Sequence, residues 1–333
     1  MDFVIYLKFL IWNLLFFYTM QFIGNTKSVN LLQKAFEHNA LGHAYLFSGP
    51  EKVGKFTLAK MFALSVIAGT ELNLDIDNVD KNAMLDLVIV EPEITEKNGI
   101  SRQRDISIES IRDAKLSLSL FPYHGKYKVL IVNDAHRMTN GCQNALLKIL
   151  EEPNPTTILI LITNEVDRIL PTILSRLQVV NFGLVDDEDM NAGFAENFSF
   201  QKDCVELSIG RPGLAQYLSE HNEEKLFRTN ALMELEKIRK GTLNEKFKLA
   251  EELSKDAVRT LDKLNVWLWE IRKIAVDVNP PRVDEQSFPR VEAGQVESNR
   301  ACAIIEKIQK AMIVLKRTNA NSRLILETLF MDM

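Results

Sequence analysis

The spacing of apolar residues changes character about halfway along this chain. Residues 28–39 (SVNLLQKAFEHN) repeat apolar side chains at helical spacing. Residues 44–47 (AYLF) form a short, almost continuous apolar run and predict a buried strand. That run leads into GPEKVGKFT. Leu58, Met61, Phe62 and Ser65 then restore a helical period over residues 55–67. Further strands are predicted at 85–90, 128–132 and 157–162, with helices at 107–120 and 140–150 between them. Strands and helices in alternation imply a mostly parallel sheet with helices on both faces. Beyond Phe182 the strand signals stop. An acidic helical stretch (186–197), a second one (201–207) and a GRPG turn (210–213) follow, and longer charged-and-apolar helices run from Glu223 to the C-terminus. Pro280, Pro281 and Pro289 predict a loop over residues 278–294. The expected architecture is α/β first and helical afterwards.

Composition narrows the classes without naming one. A length of 333 residues suffices for two or three domains with real cores, and 46% hydrophobic with 26% charged residues is ordinary for a globular protein. A formal net charge of −5 argues against a protein that mainly coats nucleic acid, and leaves room for a local basic patch. Cys142, Cys204 and Cys302 lie far apart and form no CxxC pair, so they read as reduced thiols rather than as disulfides or a zinc site.

Residues 1–19 (MDFVIYLKFLIWNLLFFYT) stand apart from the rest. A spanning helix needs roughly 20 apolar residues, and a secretory signal needs a positive start and a small-residue cleavage site. This stretch meets neither requirement well. We expect translation to begin at Met20, with the upstream residues a start-site error, because everything that follows reads as cytoplasmic. A membrane anchor is the competing reading.

The chemistry concentrates at GPEKVGKFT. Gly49, Gly54 and Lys55 have the GxxxxGK spacing of a phosphate loop, set between a strand and a helix as such a loop requires. Loop N–H groups and the helix N-terminus would face the phosphates, with Lys55 as a point charge. The bland alternative is a glycine turn that caps a helix. The position after Lys55, where a Ser or Thr would hold Mg²⁺, is Phe56. Thr57 lies one residue later, about 100° round the helix. A second expected element, an apolar strand ending in acids, is KVLIV followed by Asn133 and Asp134. Asn133 is neutral where a carboxylate is needed, and in the shifted register Ala135 falls at the water-positioning site.

Four stretches, HAYLFSGPEKVGKFTLAK, KVLIVNDAHRM, NALLKILEEPNPTT and ILPTILSR, resemble the AAA+ clamp-loader subunits of bacterial replication. The resemblance runs from about Met20 to the end, where NANSRLILETLFMDM is similar to the last collar helix of that family. Within it the sequence looks most like the delta-prime type; the other candidate is the ATP-hydrolysing gamma/tau type. The resemblance implies an AAA+ α/β domain (20–182), a small helical lid (183–222) and a helical collar (223–333) that joins gamma/tau and delta subunits. It implies action on the sliding clamp and primer-template DNA through the complex, with no membrane and no polymerase chemistry of its own. Arg176, in Ser175-Arg176-Leu177, matches the arginine finger that reaches a neighbour's γ-phosphate, or else it caps a short helix. Thr163 matches the sensor 1 position, or is a strand-end hydroxyl bonded to backbone. Gly213 stands where hydrolysing relatives carry the sensor 2 Arg. The expected result is no intrinsic ATPase, no required cofactor, nucleotide binding that is weak and without hydrolysis, and no metal. The family's four zinc cysteines are absent from residues 65–85.

Overall fold

The computed structural model describes residues 22–38, 40–74, 81–97, 100–195, 202–277, 291–317 and 321–333. Residues 1–19, with their two readings, lie outside these. The chain divides into two compact units, Met1–Ser199 with Gly210–Leu214, and Phe200–Ile209 with Ala215–Met333.

The first unit is built on five parallel strands: β1 (Ala44–Ser48), β2 (Leu87–Val90), β5 (Lys128–Val132), β6 (Thr157–Thr163) and β7 (Gln178–Asn181). Their order across the sheet is β2-β5-β6-β1-β7. Strand β1, which leads into the loop that follows it, lies inside the sheet between β6 and β7. Because side chains alternate along a strand, each strand feeds two cores. Tyr45, Phe47, Val129, Ile131, Ile158, Ile160 and Ile162 enter one, against α1 (Thr26–Glu37) and α2 (Lys55–Ala68). Leu46, Leu130, Val132, Leu159 and Leu161 enter the other, against α3 (Ile108–Ser119) and α4 (Asn140–Glu151). Helix starts are set locally. Ser107 Oγ accepts from Ser110 N at 3.1 Å and Thr139 Oγ1 from Cys142 N at 3.4 Å, each satisfying an orphan N–H.

The predicted strand at 85–90 begins two residues late. Met84, Leu85 and Asp86 complete a 3-10 turn (Lys81–Asp86), and Asp86 is fully buried. Its carboxylate accepts from the backbone N–H groups of Tyr123, His124 and Gly125 and faces Lys128 Nζ at 3.9 Å. Two elements escaped the sequence reading. One is β7; the other is an antiparallel hairpin of β3 (Ile94–Lys97) and β4 (Ile100–Gln103). A short helix, α5 (Pro171–Leu174), leads into β7, and α6 (Asp187–Phe194) follows it.

The second unit is helical among its described residues. Helices α7 (Lys202–Ser208), α8 (Pro212–Glu220, which begins in the first unit), α9 (Asn222–Lys240), α10 (Leu243–Leu253), α11 (Ala257–Asp277), α12 (Val291–Arg317) and α13 (Ser322–Asp332) run in chain order. Their core is centred on Trp267, which is fully buried and donates from Nε1 to Ala231 O at 2.6 Å, with Phe330 at a ring-centroid distance of 5.9 Å. Most of the loop predicted over 278–294 lies outside the described residues; helix α12 begins inside that span, at Val291. Among the described residues no helix is long and apolar enough to cross a membrane.

Candidate functional site

The turn from β1 to α2 follows the strand–loop–helix plan that the sequence predicts. Gly49 takes φ +151°, and a Cβ there would lie 2.3 Å from Phe182 O, so only glycine fits. Gly54 takes φ +94° at the N-cap of α2. The loop is tied down on two sides: Gly49 N donates to Thr163 O at 3.3 Å, and Gly213 N donates to Lys52 O at 2.9 Å. The second bond places the expected sensor 2 position against the loop's own backbone, where a Cβ would sit 3.0 Å from Lys52 O.

Lys55 is only 7% exposed. Its ammonium donates to Gly49 O at 2.7 Å and also to Pro50 O. Burial pulls its pKa down to about 8, against the opposing pull of Glu51 and Asp134. A desolvated ammonium folded onto loop carbonyls has a charge available for a phosphate, provided that it exchanges those carbonyls for phosphate oxygens.

Asn133 and Asp134 stand at the end of β5 as predicted. Asn133 Nδ2 donates to Glu91 Oε1 at 3.3 Å. Asp134 adopts a left-handed conformation (φ +50°) and opens a 3-10 turn, Ala135–Arg137. Thr163 is fully buried at the end of β6, and its Oγ1 accepts from Glu165 N at 3.0 Å. The next residue, Asn164, donates from Nδ2 to Glu51 Oε1 at 2.6 Å. Thr57 is half-buried one residue beyond Phe56. Arg176 lies after α5, where Nη1 donates to Thr172 O at 2.9 Å and Nη2 meets Glu151 Oε1 at 3.2 Å. The guanidinium thus caps its own short helix and pairs with a carboxylate at the end of α4.

Residues 24–186 match the family described as DNA polymerase III, delta subunit. Over much the same region the chain is 34% identical to DNA polymerase III subunit tau of Bacillus subtilis across 160 residues, 48% of this chain and 28% of that protein. It is 28% identical to DNA polymerase III subunit gamma of Buchnera aphidicola across 178 residues, 51% of this chain and 46% of that protein. The chain thus spans less than half the length of these relatives. A solved gamma-subunit-related protein of DNA polymerase III from Thermotoga maritima aligns at 20% identity and TM-score 0.42, covering 91% of this chain and 97% of that one. The relatives are named tau and gamma, so the delta-prime type expected from the sequence stays a proposal.

Phosphoryl transfer on a phosphate loop requires Mg²⁺ between the β- and γ-phosphates, and the residues present do not fit that ion. Phe56 offers a ring, packed partly into the core, and Asn133 offers a neutral amide in place of a carboxylate. Among the described residues no group of three or more His, Cys, Asp or Glu is placed to hold a metal. The structure also brings in residues that motif reading missed. Lys60 lies over the Phe56 ring, 4.6 Å from its centroid, and Glu91 holds Asn133. Their signal in the sequence was slight: Lys60 is four residues after Phe56, hence on the same helix face.

Proposed function

We propose that this chain is a subunit of the DNA polymerase III clamp loader. What supports it is the family match of residues 24–186, on a five-stranded parallel sheet that presents a phosphate loop after β1. The helical second unit would supply assembly, joining gamma/tau and delta subunits. Loading of the sliding clamp on primed DNA would belong to the complex.

Two finer readings part at ATP. The relatives, named tau and gamma, favour a gamma/tau-like chain, and they weigh more on the question of descent. Phe56, Asn133 and Gly213 favour a delta-prime-like stator, and they weigh more on what the site does with ATP. On the second reading Arg176 acts in trans, exchanging Glu151 for the γ-phosphate of a neighbour's nucleotide.

The test of the proposal is reconstitution. The purified chain, mixed with gamma/tau and delta subunits, should co-elute as one complex and raise the rate of clamp loading on primed DNA. A chain that elutes alone and leaves loading unchanged contradicts it.

A further inference from the structure

A lysine stands over the first of the two positions that hold magnesium in a working phosphate loop. Phe56 occupies the first and Asn133 the second. Lys60 follows Phe56 by one helical turn, and helical side chains lean toward the N-terminus, so its ammonium reaches back over the Phe56 ring. An aromatic face attracts a cation through its quadrupole, which holds the ammonium there. Glu91, just beyond β2, acts electrostatically on the same ammonium, while its Oε1 accepts from Asn133 Nδ2 at 3.3 Å. The Lys60 ammonium thus stands over the residue at the first position, and Glu91, paired with the residue at the second, attracts it electrostatically. Burial pulls Lys60 below the ordinary lysine range and Glu91 pulls the other way, which marks a charge only partly compensated by its surroundings. A divalent cation brought to this place would meet a fixed positive charge, with neither a hydroxyl nor a metal-binding carboxylate at the two positions that should receive it.

Resting on the reading of residues 49–54 as a phosphate loop, we propose that Lys60 takes the place of the divalent ion. The loop then binds the polyphosphate of a nucleotide with Lys55 and Lys60 as its cations and without a metal. Such a site retains the fold's affinity for nucleotide and omits the ion that activates the γ-phosphate, so it holds ATP without spending it.

The experiment is a calorimetric titration of the full chain with ATP, once in excess EDTA and once in excess Mg²⁺, on wild type, Lys60→Met and Lys60→Arg. Wild type should bind equally well, within about threefold, in both buffers. Lys60→Met should bind about tenfold more weakly in EDTA, a loss of about 1.4 kcal/mol, and Lys60→Arg should bind like wild type. Binding that appears only with Mg²⁺, no binding in either buffer, or wild-type affinity in Lys60→Met would each overturn the proposal. Circular dichroism of the variants checks that they are folded, and wild-type binding in the two buffers decides the case even where a variant is not. Co-elution with clamp-loader subunits is read separately, so failure of the assembly proposal shows there and not in the titration.

Discussion

Replacing Lys55 by Met tests how the phosphate loop is held together, through stability rather than binding. The side chain is 7% exposed and its pKa falls from 10.5 to about 8 because burial disfavours the ammonium. At about 1.4 kcal/mol per pKa unit, folding penalises the charged form by roughly 3 kcal/mol relative to the neutral one. The direction follows from proton counting. Between about pH 8 and 10.5 the unfolded chain still holds the Lys55 proton while the folded chain has released it. The unfolded state binds more protons there, so stability rises with pH across that window. Lys55→Met removes this contribution and leaves every other titrating group in place. Urea unfolding of both proteins, from pH 7 to about 10.5, should therefore show the wild type gaining roughly 3 kcal/mol on the variant. Far-UV circular dichroism is the suitable probe, because the tryptophans among the described residues, Trp267 and Trp269, lie in the second unit. Parallel pH profiles for the two proteins would refute the reasoning, since they would mean that the ammonium suffers no penalty on burial.

Two further outcomes follow from the same geometry. Asp86→Ala removes the acceptor of three part-buried N–H groups and the buried carboxylate beside the Lys128 ammonium, and should destabilise the first unit by about 3–5 kcal/mol in urea unfolding. Burial pushes the Asp86 pKa up, but the N–H groups of His124, Tyr123 and Gly125 and the Lys128 charge outweigh it and hold the carboxyl below its ordinary value. Its contribution is therefore full above the unfolded pKa near 3.8 and is lost as pH falls through the lower folded value; an acid titration that stabilises the wild type contradicts this. Arg176→Ala breaks an exposed pair and a cap and should shift stability by no more than about 1 kcal/mol. If Arg176 also serves a neighbour, the same change lowers the ATPase of the assembled loader by orders of magnitude, roughly a thousandfold for a group that meets transition-state charge. Unchanged ATPase in that complex removes the finger from the account.

The parts of the fold legible in the sequence are those where one physical signal dominates. Strands β1, β5 and β6 lie in the middle of the sheet, buried on both faces, and their continuous apolar runs announce them. Strand β7 sits at the sheet edge with only Val180 buried, so QVVN carries no such run. Each strand of the hairpin ITEK–ISRQ carries a single apolar residue, too little to stand out from a loop. Leu85 reads as strand, yet it is 58% exposed, because the chain turns there to bury Asp86 instead. At the site, the glycine spacing located the loop and the gaps at Phe56 and Asn133. It gave no hint that Lys60 lies over the Phe56 ring or that Glu91, just beyond a strand and 31 positions after Lys60, accepts from Asn133. Contacts of that range depend on sheet order, which local pattern does not encode. Arg176 shows the converse: both readings open from the sequence concern the same group, and the isolated chain displays the cap.

On the proposed reading, a phosphate loop is kept here without the metal chemistry that hydrolyses ATP. The most direct measurement is steady-state ATP hydrolysis by the purified full chain in Mg²⁺, with Lys55→Ala as control. The account predicts phosphate release no faster than the Lys55→Ala background. Magnesium-dependent turnover that disappears in Lys55→Ala would contradict it and make the chain a gamma/tau-like motor.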